Sequence, residues 1–281
     1  MWIPATVGFT SSQLEMTQQK SMFAESDAYE LFMGRWSRNL APMFVKFAAV
    51  AERDSVLDIG SGTGALAFTI ANAVPSTRVT GVDPSPAYVK FAQSKAPSDR
   101  VTFQVGDAQA LQLPTASFDK TVSLLVMNFI PDSTKALREM TRVTKPGGVV
   151  AAAVWDYGDG MQMLRVFWDE AVALDPAIAK RDERNMPLCR RGELAALWKA
   201  NGLLQVDEQP LTIEMAFTSF DDFWKPFLGG QGPAGAYAVS LPEPRRAALE
   251  AALRKRLLGS KPDGPFTLQG RVWAVKGIVP R

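Results

Sequence analysis

From residue 55 onward, short runs rich in β-branched residues alternate with stretches that carry apolar residues at helical spacing. SVLDIG (55–60), RVTGVD (78–83), VTFQVGD (101–107), FDKTVSLLVM (118–127) and VVAAAVW (149–155) predict five strands. The fourth is a nearly continuous apolar run, as expected for a strand covered on both faces. ALAFTIANAV, PSPAYVKFAQSKA and STKALREMTRVT predict helices between them, the last stopped by Lys145-Pro146-Gly147-Gly148. This alternation points to the α/β class, a doubly wound and mostly parallel sheet with ligands at the carboxyl ends of its strands.

Past Trp155 the pattern loosens. Helical segments at 161–174 and 192–200 lead to an extended stretch, LLQVDEQPLTIEMAF (203–217), and the aromatic, glycine-bearing SFDDFWKPFLGGQGPAGAYAVSL. A helical PEPRRAALEAALRKRL and a final strand, FTLQGRVWAVKGIV (266–279), close the chain. Two late strands around a helical insertion predict an edge hairpin, seven strands in all, with the last antiparallel. Residues 1–50 are expected to form a tail and lid helices, and residues 51–281 one domain with a substrate cap from 156–200 and 214–265.

Composition narrows the chemistry mostly by what is missing. Thirty-one basic and 29 acidic residues leave a net charge of +2, with no Lys/Arg block of the kind that grips nucleic acid. Histidine is absent, which removes the commonest metal ligand and the commonest general base together, so no metal site is expected. The single cysteine, Cys189, allows no disulfide within the chain, as in a reducing compartment. No apolar run is long enough for a membrane span, and the first residues lack the basic flank and apolar core of a signal peptide. Met16 and Met22 are alternative starts, and the expected location is the cytoplasm.

The turn after the first strand, VLDIGSGTGALA (56–67), is the centre of the candidate chemistry. Gly60-x-Gly62-x-x-Ala65 fits the loose dinucleotide fingerprint, and Asp58-x-Gly60-x-Gly62-x-Gly64 fits a turn for S-adenosylmethionine (SAM). Asp83 ends the second strand, where a carboxylate can accept from a ribose diol of either cofactor. Asp58 favours SAM, whose methionine end carries an ammonium; a pyrophosphate would be repelled by it. Asp107-Ala108 directly after the third strand, and Phe118-Asp119 and Lys-Pro-Gly-Gly around the fourth and fifth, complete an ordered set of motifs.

Over residues 55–155 these motifs strongly resemble the class I SAM-dependent methyltransferases, in the branch related to the bacterial ubiquinone/menaquinone enzymes. AYELFMGRWSRNLAPMF (28–44) resembles the helix such enzymes place over the cofactor. The resemblance implies a Rossmann-like fold and SAM as cofactor, with S-adenosylhomocysteine as product. It also implies cofactor contacts from Tyr29, Arg38, Asp58, Gly60, Gly62, Thr63 and Gly64 near the methionine end. Asp83 and Pro84 would take the ribose, Asp107 and Ala108 the adenine, and the backbone near Leu124 the amino group. Trp36, Met127, Trp155 and Trp224 are candidates for a substrate pocket, against the plainer reading that most aromatics are core. Any proton transfer would fall to Asp132, Asp156 or Tyr157, just beyond strands four and five.

The expected activity is methyl transfer to a small molecule by in-line displacement, driven mainly by proximity and orientation. A quinone-type C-methyltransferase and a SAM-binding protein without catalysis are the alternatives. An NAD-dependent reductase is disfavoured because no YxxxK motif is present, and a nucleic-acid methyltransferase because Met127-Asn128-Phe129-Ile130 follows strand four. The oligomeric state is left open between monomer and homodimer.

Overall fold

The parallel strands run as the hydrophobic pattern dictates. In the computed structural model, which describes residues 27–281, they form a seven-stranded sheet in the order β3-β2-β1-β4-β5-β7-β6. The strands are β1 (Ser55–Ile59), β2 (Arg78–Asp83), β3 (Val101–Val105), β4 (Phe118–Leu124), β5 (Thr144–Trp155), β6 (Leu204–Phe217) and β7 (Phe266–Ile278). β7 pairs antiparallel with both β5 and β6, so the last strand alone runs against the rest. The order turns back at β1 and β4, the switch point where a doubly wound sheet opens a crevice.

Helices α1 (Arg35–Phe47), α2 (Ala65–Ala73), α3 (Pro86–Lys95) and α4 (Ser133–Val143) accompany the parallel half. Ser85 caps α3 by accepting from the Tyr88 N–H (3.3 Å), with Pro86 at the first helical position. In β5 the run Val150–Trp155 is buried throughout, and three consecutive alanines, Ala151 to Ala153, keep its faces shallow enough for close layers.

After β5 come α5 (Gln162–Leu174), α6 (Glu193–Ala200) and, between β6 and β7, α7 (Phe220–Trp224), α8 (Gly232–Ser240) and α9 (Glu243–Leu258). The excursion is tied to the N-terminal helix through one aromatic cluster. Trp36 meets Phe217 at 5.2 Å, Phe217 meets Phe223 at 5.5 Å, and Phe227 meets both Phe32 (5.1 Å) and Phe167 (4.6 Å, stacked). Arg35 reinforces that seam, donating to the Asp222 carboxylate (2.7 Å) and to its carbonyl (3.1 Å).

Several boundaries differ from the sequence expectation, among them the start of β5, which begins at Thr144 and takes in the Lys145–Gly148 stretch expected as a turn. β4 stops at Leu124, where Leu125 turns to φ 67° and Met127–Phe129 form a 3₁₀ turn, so the apolar run ends in the crevice rather than in the sheet. A π-helical turn, Glu30–Gly34, precedes α1. Between α5 and α6 two 3₁₀ turns, Pro176–Arg181 and Glu183–Asn185, replace what sequence patterning left without structure. The alternative starts Met16 and Met22 lie outside the described residues. Among the described residues no helix is long and apolar enough to cross a membrane.

Candidate active site

The glycine turn is held in shape from below. Gly60 and Gly62 adopt φ 69° and 53°, conformations open to glycine at little cost. A Cβ on Gly60 would fall 2.5 Å from Val126, whereas one on Gly62 would meet nothing within 4 Å, so Gly62 faces open space. Both N–H groups of this loop segment find acceptors in β2: Gly60 donates to the Val82 carbonyl (2.7 Å) and Gly62 to Asp83 Oδ2 (2.9 Å). The other Asp83 oxygen accepts from the Ser85 N–H (2.9 Å). Burial raises the Asp83 pKa, with these two backbone donors working against the rise.

Asp58, at the end of β1, is the most unusual group of the turn. It is 1% exposed, and its Oδ2 has no hydrogen-bond partner among the described residues. Burial, reinforced by the nearby Asp83 charge, pushes its pKa well above the ordinary carboxylate range. A buried, unpartnered carboxylate is costly unless a donor arrives to meet it. Ser61 Oγ beside it is likewise buried without a partner.

Three cavities that share lining residues follow the carboxyl ends of the strands. The first, about 290 Å³, is lined by Pro84, Asp107, Ala108, Gln109 and Phe129 among others. The second, about 40 Å³, lies over the turn, between Tyr29, Asp58, Gly62, Thr63 and Leu124. Gly60 and Val126 line both. The third, about 80 Å³, is walled by Tyr29, Phe32, Phe129, Trp155, Tyr157 and Glu183; it shares Tyr29 with the second and Phe129 with the first. This succession suits a bent ligand with an adenosine-sized end, a charged end and a neighbouring acceptor.

Most of the anticipated residues therefore meet, and the exceptions have visible reasons. Asp107 is exposed, and the Gln109 backbone N–H (2.8 Å) and side-chain amide keep its pKa low. Gly64, at φ 94°, starts α2, and a Cβ there would strike Phe68 rather than the cleft. Arg38 is paired with Glu30, whose other carboxylate oxygen accepts from Thr63 Oγ1 (2.5 Å). The lid cation is thus already engaged by an acidic neighbour two turns earlier.

Of the proton-transfer candidates, only Tyr157 lines the third cavity, and burial pushes its hydroxyl well above the usual range. Asp132 is exposed and caps α4, accepting from the Lys135 N–H (2.8 Å). Asp156 is buried but bound by Arg271 of β7, whose Nε (2.8 Å) and Nη2 (2.5 Å) both reach Oδ2. Among the pocket candidates Trp155 lines the third cavity. Trp36 packs on Phe217, Met127 is fully buried in its turn, and Trp224 packs toward Phe227 at 6.1 Å.

Sequence reading missed Glu30, Leu125, Phe129 and Glu183. Phe129 falls two residues beyond Met127, an offset set by the 3₁₀ turn. Asp182-Glu183-Arg184-Asn185 reads as a solvated turn, yet Asp182 and Glu183 are 5% and 4% exposed. No local signal marks them, because their burial comes from α5: Arg165 pairs with Asp182, and Trp168 Nε1 donates to Glu183 Oε2 (2.6 Å).

Sheet order, glycine turn and cleft define a class I methyltransferase fold. Residues 57–152 match the methyltransferase domain family. A 2-methyl-6-phytyl-1,4-hydroquinone methyltransferase of Synechocystis is 37% identical over 119 residues, 42% of this chain and 37% of that protein. The match therefore spans little more than a third of that relative. An uncharacterized protein of Mycobacterium tuberculosis is 26% identical over 240 residues, covering 83% of this chain and 86% of its own. In three dimensions, phosphoethanolamine N-methyltransferase 2 of Haemonchus contortus, solved with phosphomonomethylethanolamine and S-adenosylhomocysteine, aligns with a TM-score of 0.57 at 21% identity. That alignment covers 99% of this chain and 62% of the other, and is a likeness of fold.

Proposed function

We propose that the chain is a SAM-dependent methyltransferase acting on a small-molecule acceptor. The observation that carries this reading is Asp58: a buried carboxylate with an unpartnered oxygen, opening onto a glycine turn whose Gly62 faces empty space. An ammonium would supply the missing donor and restore the ionised form. When bound, SAM supplies an activated methyl group on a sulfonium, so the protein's own task is binding, orientation and exclusion of water.

In this reading Asp58 takes the ammonium of the methionine end, and Thr63 and the Leu124 backbone flank it. Asp83, already fixed by Gly62 and Ser85, offers its remaining lone pairs to the ribose hydroxyls. Asp107 and Ala108 face the adenine edge, with Phe129 and Ile130 as apolar walls. The third cavity receives the acceptor, and Tyr29, lining it together with the second, stands between the two ligands.

Calorimetric titration with S-adenosylhomocysteine, with NADH in parallel, tests the reading. Micromolar binding of the first alone is the expected outcome. Binding of NADH instead would overturn it. A quinone-type acceptor is favoured to the extent that the third cavity is aromatic and that the Synechocystis relative is named for a hydroquinone.

A further inference from the structure

The third cavity has one carboxylate, that of Glu183, in a wall that includes five aromatic side chains. Glu183 lines it, 4% exposed, with Oε2 held by Trp168 Nε1 and no partner for Oε1 among the described residues. Trp155 lines it too, and its buried Nε1 has no acceptor. The turn that carries Glu183 is fixed by Asp182, which is clamped by Arg165 from α5 (Nη1–Oδ2 3.1 Å) and by Arg184 (Nε–Oδ2 2.7 Å). Among the described residues no Lys or Arg side chain lines the cavity, so no cation there meets an acidic acceptor group.

Given the methyl-transfer reading above, on which this rests, we propose that the third cavity takes a phenolic hydroxyl that donates to Glu183, which receives its proton. The O–H bond breaks, the proton goes to the Glu183 carboxylate, and the electron pair stays on the oxygen, leaving a phenolate nucleophile and a neutral acid. Flat aromatic walls from Phe32, Phe129 and Tyr157 suit a ring.

Burial pushes Glu183 up to about 7, against the Trp168 bond and the Arg165 charge, and this suits a general base near neutrality. The other groups around it hold their protonation state there. Tyr157 is driven well upward by burial, and Cys189 up to about 12. Asp182 is held low despite its burial by Arg165 and Arg184.

The test is calorimetric binding of phenol, and of anisole as the same ring without an O–H, at pH 5.5 and 8.5. It is run with and without S-adenosylhomocysteine, on the full chain and on Glu183→Gln. The expected result is phenol affinity at least tenfold higher at pH 8.5 in the unaltered protein, with anisole showing no such gain. Glu183→Gln should remove the gain. Equal phenol affinity at both pH values, anisole tracking phenol, or a gain that survives in Glu183→Gln would each overturn the proposal. Because phenol is also titrated alone, failure of S-adenosylhomocysteine to bind would count against the methyl-transfer reading and leave this result separately readable. If the variant does not fold, the contrast between phenol and anisole in the unaltered protein still decides.

Discussion

At the scale of single residues, three acidic side chains within one crevice are set apart by what surrounds them. Asp107 is exposed and kept low by Gln109; Asp83 is buried but anchored by two N–H donors; Asp58 is buried with one oxygen unmet. Replacing Asp83 by Ala should weaken S-adenosylhomocysteine binding by about 1–3 kcal/mol, since it deletes a ligand hydrogen bond and frees the Gly62 N–H together. Unchanged affinity in calorimetry would refute the ribose assignment. Glu183 makes a stability prediction. Its folded value of about 7 lies above the ordinary 4.5, so the fold favours the protonated form. That stabilisation is complete below pH about 4.5 and is lost as pH rises toward 7, on the order of 3 kcal/mol in all. Denaturant melts from pH 4.5 to 8 should show this decline in the unaltered protein and a flatter profile in Glu183→Gln.

At the scale of elements, the helical segment 30–47 lines the cavities over the glycine turn. Its two ion pairs do opposite things. Arg35–Asp222, with side chains 27% and 25% exposed, fastens the helix to the excursion, while Arg38–Glu30 occupies a cation beside the Thr63 hydroxyl. Arg35→Ala should cost about 1 kcal/mol or less in equilibrium unfolding, as exposed and half-exposed pairs do, plus what is lost of its stacking over Trp36 at 4.2 Å. Glu30→Gln should raise S-adenosylhomocysteine affinity a few-fold by freeing Arg38 for a ligand carboxylate. If affinity falls instead, Glu30 supports the site and Arg38 is not the carboxylate partner.

For the whole molecule, the aromatic cluster makes the lid, β6, the excursion and α5 interdependent. Phe227 touches Phe32 of the N-terminal turn, Phe167 of α5, and Phe223 and Trp224 of α7. Phe227→Ala should cost about 3–5 kcal/mol, the usual range for a buried aromatic truncation. Far-ultraviolet dichroism and tryptophan fluorescence should still give one coincident unfolding transition for residues 27 onward, because no layer has a core of its own. Separate transitions would mean that the parallel half folds independently of the lid and excursion.

Period and punctuation alone determined the parallel half of this protein. β-branched runs of strand length, helical spacing between them and glycines in the turn encode local conformation, so the existence and order of β1 to β5 and the glycine turn are legible, though the ends of β4 and β5 are not. The motif acids followed, because strand ends in a doubly wound sheet point to one crevice. What only the tertiary structure decided lies in contacts between residues far apart in the chain. Asp156 looked available until β7 returned with Arg271, 115 positions later. Trp36 and Trp224 looked like pocket walls until the excursion folded over them as core. Glu183 carried no signal in the sequence, for a charge pattern records where a residue sits in the chain and not that α5 will come to cover it.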